Sequence, residues 1–417
     1  MKKLLVAILI FTSLFLFSQS RSDIGGSFIK SLFTDHNAEK AHAYFDPLVA
    51  SHVSVNDLKE LYPQIQGQMG EFKSIIEVNN EKDTYYFYSD FEKSKLDIQI
   101  TFNTENKIIG FYFIPHKTFD KADDKKALKI KSDDIELKGT LLQPTQGDQK
   151  KLVIFIHGSG PQDRDETIGE NKPFKDIAEY FFKNGISSYR YDKRTYSNPE
   201  TFNDQSTVEQ ETINDAVNVA NYFKANESFK GYQIIILGHS QGAYLMPKIA
   251  EKAQASKYIF MAGNARPLQD IIVDQFEYLH KVVPSKIPIE DVQNIKKKVE
   301  FLNSDKFNLD VKKSELPFDL PASYWKSLLD YKPLDLIKKI NVPMFFAQGE
   351  RDYQVTEKDF NLWKNELKNN KSAEFKLYPS LNHFFAKHSG VASWEEYEVK
   401  GNVDEAFLKD LAQFILK

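Results

Sequence analysis

One stretch decides the fold of this chain: Ile234-Ile235-Ile236-Leu237-Gly238-His239-Ser240-Gln241-Gly242. It begins with an uninterrupted apolar run, which is typical of a short strand buried on both faces of a parallel sheet. It ends with the pattern G-x-S-x-G, and residues with helical spacing follow over Ala243–Gln254. The sequence therefore predicts a strand, a tight turn that carries Ser240, and then a helix.

On both sides of this stretch, apolar runs alternate with helix-like segments. The predicted strands are Leu152–Ile156, Ile234–Leu237, Tyr258–Ala262, Val342–Ala347 and Phe375–Tyr378. The predicted helices include Lys172–Asn184, Thr207–Asn226 and Ala243–Gln254. This alternation is typical of a mostly parallel sheet with crossover helices, so we assign residues 135–417 to the α/β class.

Between Asn264 and Ile340 the alternation stops. This segment has helical character, is interrupted by prolines such as Pro267 and Pro317, and is rich in aromatic residues. A strand-free insertion of this length inside a sheet is usually functional. We interpret residues about 264–340 as a helical cap, whose aromatic residues either form its core or line a pocket.

The residues before the α/β region predict a separate small domain. Two helix-like segments, the first over Gly26–Phe45, precede three strand-like runs, Thr84–Phe91, Leu96–Phe102 and Lys107–Phe113. In Leu96–Phe102 apolar and polar residues alternate, which indicates an antiparallel strand with one solvated face. We expect an α+β domain over residues 21–116 and a charged linker over residues 117–134.

The N-terminus predicts a secretory signal peptide over residues 1–20. Lys2 and Lys3 precede the apolar run Leu4–Phe17, and Ser18 and Ser20 are the small residues that a signal peptidase reads. The run is short for a spanning helix, although an uncleaved anchor is the alternative. We expect the mature chain to be exported, either periplasmic or secreted, with no membrane contact after cleavage.

The composition excludes several classes of function. A net charge of -4 gives no general attraction to nucleic acid. The chain has no cysteine, which excludes disulfides, thiolate metal sites and a cysteine nucleophile. It also lacks a phosphate-binding loop, a dinucleotide fingerprint and a zinc-binding helix motif. We therefore predict no cofactor, no metal and no nucleic-acid partner.

Two charged triplets are the remaining candidates for binding a metal or a charged substrate. They are Asp163-Arg164-Asp165 and Asp192-Lys193-Arg194. Neighbouring charges of opposite sign usually pair with each other. We interpret both triplets as mutual ion pairs.

Ser240 is the candidate nucleophile. A serine hydroxyl reacts only when an adjacent base removes its proton and an acid orients that base. In the strand-turn-helix context of G-x-S-x-G, the acid and then the base follow the serine along the chain. Three histidines follow Ser240, and His383 lies just after the last predicted strand, whereas His280 lies in the cap and His388 lies beyond the loop. We predict His383 as the base.

The acid should lie on the loop after the preceding strand. That loop reads Gly349-Glu350-Arg351-Asp352. Both Glu350 and Asp352 qualify by position, and we choose Asp352 because it closes the turn. Glu350 is interpreted as a surface partner of Arg351.

Stabilisation of an oxyanion requires two aligned donors. One is the backbone N–H of Gln241, directly after the nucleophile. The second should come from the loop His157-Gly158-Ser159-Gly160, with Ser159 as the first choice and Gly160 as the alternative. The side chain of His157 either stabilises this loop or has a direct role.

These motifs resemble those of the α/β-hydrolase superfamily, over about Leu137–Lys417. The chain is similar to a bacterial esterase branch related to serine-aminopeptidase-like and dienelactone-hydrolase-like groups. The motifs are His157-Gly158-Ser159-Gly160 with Asp163-Arg164-Asp165, Gly238-His239-Ser240-Gln241-Gly242, Ala262-Gly263-Asn264-Ala265-Arg266-Pro267 and Gly349-Glu350-Arg351-Asp352. After Tyr191-Asp192-Lys193-Arg194 the chain departs from that branch, because Thr195-Tyr196-Ser197-Asn198-Pro199 replaces a glycine-rich segment.

Residues 21–115 resemble a small domain of unknown function that precedes such hydrolases, which implies a curved sheet backed by helices. For the whole chain, the resemblance implies hydrolysis of a small-molecule carboxylic ester. The alternatives are a peptidase or amidase with the same triad, and a binding protein without catalytic activity. An intact set of Ser240, Asp352, His383, Ser159 and Gln241 favours an enzyme.

Overall fold

The structure is a computed structural model that describes residues 21–81, 83–114, 116 and 127–417. The predicted signal peptide, residues 1–20, lies outside the described residues, as does most of the predicted linker. The chain divides into two compact units, with the boundary between residues 121 and 122. Among the described residues, no helix has both the length and the apolar character needed to cross a bilayer.

The first unit consists of four helices followed by a four-stranded antiparallel sheet. The helices are α1 (Arg21–Phe33), α2 (Ala38–His42), α3 (Pro47–His52) and α4 (Val55–Met69). The strands, which pair in chain order, are β1 (Phe72–Glu81), β2 (Thr84–Phe91), β3 (Lys95–Phe102) and β4 (Ile108–Ile114). The predicted α+β class is therefore confirmed.

The apolar positions of β3 face the helices of this unit. Leu96, Ile98, Ile100 and Phe102 are buried in one core together with Phe28 of α1. The polar residues between them lie on the opposite face of the pleat. That face is less solvated than predicted, because Asp97 is buried beside His116 and Gln99 and Thr101 are half-buried. One face of the sheet thus forms the core of the small domain.

Two details of the first unit differ from the sequence prediction. The single helix expected over Gly26–Phe45 is broken, because His36 has a positive φ of 49° and Asn37 caps the new helix α2. Strand β1 was not predicted, since bulges at Phe72/Ser74 and Ile75/Glu77 shift its register and destroy the two-residue period.

The second unit contains an eight-stranded sheet in the order β12-β11-β10-β9-β7-β8-β6-β5. The strands are β5 (Leu128–Ser132), β6 (Ile135–Leu142), β7 (Lys151–Ile156), β8 (Ser187–Tyr191), β9 (Gln233–His239), β10 (Lys257–Met261), β11 (Met344–Gly349) and β12 (Ala373–Tyr378). The six strands from β7 to β12 are parallel, whereas β5 and β6 form an antiparallel edge. The mostly parallel α/β sheet is confirmed.

Helices cover both faces of this sheet. They are α5 (Pro173–Lys183), α6 (Arg194–Ser197), α7 (Asn214–Ala225), α8 (Gln241–Lys252), α9 (Leu268–Val282), α10 (Ile289–Leu302), α11 (Ala322–Leu329), α12 (Pro333–Ile337), α13 (Glu357–Glu366) and α14 (Glu405–Leu416). In β7, Ile154 belongs to one core and its neighbour Phe155 to the other. The continuous apolar runs of the sequence therefore supply two separate cores, one on each face.

The segment predicted as a cap lies between β10 and β11. It contains α9, α10, α11 and α12 and short 3-10 turns. Tyr324 and Trp325 of α11 are fully buried and pack into the same core as α8. These two aromatic residues therefore belong to a core that the insertion shares with the sheet.

The prediction of a linker over residues 117–134 is wrong for the C-terminal part of that range. Leu128–Ser132 forms β5, which pairs with β6 as the last strand of the sheet. Ile130 is buried, whereas Lys129 and Lys131 point to solvent, which is how an edge strand avoids aggregation. These lysines give the strand the composition of a linker, and the second unit begins before residue 135.

Removal of β5 should destabilise the second unit. A chain that starts at Ala127 keeps β5, and we expect the free energy of unfolding of the second unit to be unchanged in it. A chain that starts at Asp133 lacks β5 and should lose at least about 2 kcal/mol of that free energy through Ile130 alone. The shorter chain also loses the hydrogen bond of the Ser132 hydroxyl to Asp215. Urea denaturation of the two truncated chains measures the difference, and equal midpoints would show that β5 does not contribute.

Candidate active site

Ser240 lies between β9 and α8 on a strained turn. Its φ and ψ are 51° and -116°, a region that non-glycine residues rarely occupy. Its N–H donates to the Met261 carbonyl at 2.8 Å, which ties the turn to the neighbouring strand β10. This geometry is that of a nucleophile elbow, in which the serine is presented at the end of a strand.

The glycines on either side of Ser240 are required by close backbone contacts. A Cβ atom on Gly242 would lie 2.4 Å from the Ile156 carbonyl oxygen of β7. A Cβ atom on Gly238 would lie 2.6 Å from the carbonyl group of Gly242. Any side chain at these positions would therefore push α8 away from the sheet.

His383 and Asp352 are in contact, as the loop positions predict. His383 Nδ1 lies 2.6 Å from Asp352 Oδ2, and both side chains are buried. The other carboxylate oxygen, Oδ1, accepts the N–H groups of Gln354 and Val355 at 2.8 and 2.9 Å. Both carboxylate oxygens of Asp352 are thus engaged, and its bond to Nδ1 directs Nε2 of His383 away from it.

The alternative acid and bases lie elsewhere. Glu350 is exposed, and its expected partner Arg351 binds Glu396 instead. A ring nitrogen of His388 contacts the Ser389 carbonyl, and one of His280 contacts the Ile287 carbonyl within the insertion. The geometry favours Asp352 and His383 over these residues.

His383 is brought to the nucleophile turn through His239, the residue before Ser240. The two imidazole rings lie 4.6 Å apart, and Nε2 of His239 lies 2.9 Å from the His383 carbonyl oxygen. The loop that carries His383 therefore packs directly on the end of β9.

The loop after β7 also lies against Ser240. A Cβ atom on Gly158 would be 3.3 Å from the Ser240 Cβ. The Gly158 N–H is occupied, since it donates to Glu166 Oε1 at 2.6 Å. Ser159 is exposed at the tip of the loop, and Gln241 is the first residue of α8, where backbone N–H groups have no acceptor within the helix. Ser159 therefore directly follows a residue that lies against Ser240, and Gln241 follows Ser240 itself.

A buried pair behind the turn was not predicted from the sequence. Glu166 Oε2 lies 2.9 Å from His239 Nδ1, and both side chains are almost fully buried. Burial alone would lower the pKa of His239, but the Glu166 carboxylate raises it. Burial would likewise raise the pKa of Glu166, and His239 lowers it. The pair links the Gly158 loop to the His383 loop.

His157 lies on the buried side of its loop. Its ring packs against Phe174 and Tyr191, with ring centroids 5.3 Å away in both cases. Burial lowers the pKa of His157 to about 4, so the ring is neutral at ordinary pH. These contacts favour the loop-stabilising interpretation.

Charged residues of the two triplets form ion pairs with residues outside their own triplet. The prediction of ion pairs inside each triplet was therefore wrong. The pairs are Arg164–Asp192, Arg190–Asp165, Lys193–Glu211 and Arg194–Asp215. Each pair joins segments that are distant in the sequence, which sequence spacing alone cannot reveal. Within the parts of the chain that the structure describes, no group of three or more histidine or acidic side chains could hold a metal ion.

The chain is similar to known proteins along nearly its whole length. Residues 147–387 match the family described as serine aminopeptidase, S33, and residues 27–111 match one described as a protein of unknown function (DUF3887). The chain is 30% identical over 400 residues to esterase EstD from Thermotoga maritima, covering 92% of this chain and 93% of the relative.

Solved structures that match part of the chain include two esterases. Est1E from Butyrivibrio proteoclasticus has a TM-score of 0.47 and 18% identity, with coverage of 70% of this chain and 99% of Est1E. The Pyrococcus furiosus esterase PF2001 has a TM-score of 0.46 and 16% identity, with coverage of 72% and 96%.

The parallel sheet, the elbow at its centre and the matched region define a serine hydrolase of the α/β-hydrolase class. Since the match over residues 147–387 covers more than half of the sequence, the chain belongs to the serine aminopeptidase S33 family. The resemblance drawn from the motifs is confirmed.

Acid should destabilise the protein through His157. In the unfolded chain its pKa is about 6.5, so between that pH and about 4 only the unfolded state takes up the proton. The free energy of unfolding should therefore fall as the pH is lowered from about 7 to 4, by up to about 3 kcal/mol from this residue.

Urea denaturation at several pH values measures this dependence. His157→Gln should flatten the curve between pH 7 and 4 relative to the wild type, whereas His388→Gln, a partly exposed control, should not. Parallel curves for all three proteins would contradict the assignment.

Proposed function

We propose that the protein hydrolyses carboxylic esters of small molecules, with Ser240 as nucleophile, His383 as general base and Asp352 as the acid that orients it. The observation that carries the proposal is the 2.6 Å contact between His383 and Asp352, in a loop packed against the turn of Ser240. The similarity to an esterase over 92% of the chain supports an ester as the substrate.

The reaction proceeds through an acyl-enzyme. Ser240 Oγ attacks the ester carbonyl carbon while Nε2 of His383 takes the hydroxyl proton. The negative oxygen of the tetrahedral intermediate accepts the N–H groups of Ser159 and Gln241. The C–O bond then breaks, His383 protonates the departing alcohol, and a water activated by His383 releases the acid.

Asp352 acts through His383 rather than on the substrate. Its hydrogen bond to Nδ1 selects the tautomer that leaves Nε2 able to accept a proton. The negative charge then stabilises the imidazolium that forms during attack. The two backbone donors to Oδ1 keep the carboxylate in place through both steps.

A peptidase or amidase is the second candidate, and the description of the matching family as a serine aminopeptidase favours it. The same catalytic groups can attack either an ester or an amide. Matched p-nitrophenyl ester and p-nitroanilide substrates of the same acyl group separate the two. Faster turnover of the anilide than of the ester would identify an amide as the substrate class. If neither compound were turned over, the protein would be a binding protein.

Substitution of the triad should abolish activity without unfolding the protein. We expect Ser240→Ala to remove labelling by a fluorophosphonate and nearly all ester turnover. His383→Ala should lower kcat by about 10⁶-fold, because the base is lost. Asp352→Asn should lower it by about 10⁴-fold, because the imidazole is then held in the wrong tautomer. Initial rates with a short-chain ester measure these effects.

The chain offers a matched control for each substitution. His388→Ala and Glu350→Gln should leave kcat within about twofold, since neither residue contacts the His383–Asp352 pair. If His388→Ala proved as damaging as His383→Ala, the base would be wrongly assigned. A greater loss in Glu350→Gln than in Asp352→Asn would move the acid to Glu350.

We further propose that the chain is exported and cleaved after Ser20. The positive charges of Lys2 and Lys3 and the apolar run Leu4–Phe17 support this proposal. Mass spectrometry of the protein from separated cell fractions should give a chain that begins at Arg21, outside the cytoplasm. An intact chain confined to the cytoplasmic fraction would contradict export.

A further inference from the structure

A closed ring of buried polar side chains lies next to the predicted oxyanion donors. Lys193 Nζ lies 2.8 Å from Glu211 Oε1. Glu211 Oε2 accepts the Tyr324 hydroxyl at 2.6 Å. The Tyr324 oxygen accepts Gln241 Nε2 at 2.6 Å, and Gln241 Oε1 accepts Lys193 Nζ at 3.3 Å. Every donor in the ring faces an acceptor.

Lys193 also reaches outside the ring to the loop after β7. Its Nζ donates to the Gly158 carbonyl oxygen at 2.9 Å. That carbonyl and the Ser159 N–H belong to the same peptide group. No peptide bond in the described residues is cis, so the two dipole ends point in opposite directions. A cation on the carbonyl therefore holds the Ser159 N–H turned away from Lys193 and strengthens it as a donor.

The ring also determines the position of Gln241, the residue of the other predicted donor. A lysine has only donor hydrogens, so it must face Oε1 of the amide. The amide NH₂ is then left for Tyr324 Oη. Burial raises the pKa of Tyr324 well above its ordinary value, which keeps the phenol neutral, so that it can donate to Glu211 while it accepts from Gln241.

Stability alone does not account for the charges in the ring. The side chains of Lys193 and Glu211 are only 2% and 4% exposed. Burial of two charges costs solvation energy that their attraction only partly recovers, and an apolar pair is often as stable. Glu211 lies in a π-helical turn, Glu209–Ile213, a local distortion frequently found at functional sites.

We propose that Lys193 is a positioning residue of the oxyanion hole, which fixes and polarises the Gly158–Ser159 peptide and anchors Gln241. Glu211 and Tyr324 hold Lys193 in place, and Tyr324 connects helix α11 of the insertion to the hole. This role rests on the proposed function, because it acts on the donors that stabilise the tetrahedral intermediate.

The test is Lys193→Met, measured with the short-chain ester. Loss of a direct oxyanion donor costs about 10²- to 10³-fold in kcat. We expect this indirect loss to be smaller, about 10-fold or more, with KM within about twofold, because the ester itself carries no full charge. The inhibition constant of a trifluoromethyl ketone, which forms a tetrahedral adduct, should rise by about the same factor as kcat falls.

The double variant Lys193→Met/Glu211→Gln separates positioning from folding. The single substitution leaves Glu211 buried and unpaired, which is destabilising, whereas the double substitution removes both charges. We expect the melting temperature to recover in the double variant while kcat stays low. Recovery of kcat together with the melting temperature would make Lys193 a structural residue and overturn the proposal.

Lys257→Met is the matched control. Lys257 is another buried lysine, and its Nζ donates to the Phe414 and Ile415 carbonyls at the end of α14. Its substitution should lower the melting temperature and leave kcat within about twofold. A loss of kcat as large as that of Lys193→Met would show that loss of any buried lysine has this effect, and would overturn the proposal.

The outcomes also separate this inference from the proposed function. Ester turnover that depends on Ser240 but is unchanged in Lys193→Met overturns the role of Lys193 alone. Ester turnover that is absent in the wild type, or persists in Ser240→Ala, overturns the proposed function and the role of Lys193 with it.

Discussion

The structure of the second unit depends on how closely α8 approaches the ends of β7 and β9. The approach is possible only because Gly238 and Gly242 have no side chain. It forces Ser240 into a left-handed backbone conformation and presents its side chain at the end of the sheet. The same edge carries the loop of Gly158 and the loop of His383, since the carboxyl ends of parallel strands meet there.

Buried charged pairs hold these loops against the elbow. Glu166 contacts the Gly158 N–H and His239, which in turn contacts the His383 carbonyl. On the other side, Lys193 contacts the Gly158 carbonyl. The peptide before Gly158 is therefore bound at its N–H and the peptide after it at its carbonyl, so the backbone of this loop has little freedom to rotate.

The sequence predicts those parts of the fold and site whose signals are local. Central strands are continuous apolar runs, and Ser240, Asp352 and His383 follow from a short motif and from chain order. The missed strands lack such signals: β5 is an edge strand with alternating lysines, and β1 is interrupted by bulges. The partners of the charged triplets were mispredicted because Lys193 and Glu211 lie far apart in the sequence and meet only in the folded chain.

The division of each central strand between two cores has a consequence for laboratory evolution of this enzyme. Successive residues such as Ile154 and Phe155 are neighbours in the gene, yet a layer of backbone separates their side chains. The core on the side of α5 and α14 can therefore accumulate volume-conserving exchanges independently of the core that supports the insertion. Libraries of such exchanges can therefore be built for one face at a time, and gains in thermostability found on the two faces should combine additively.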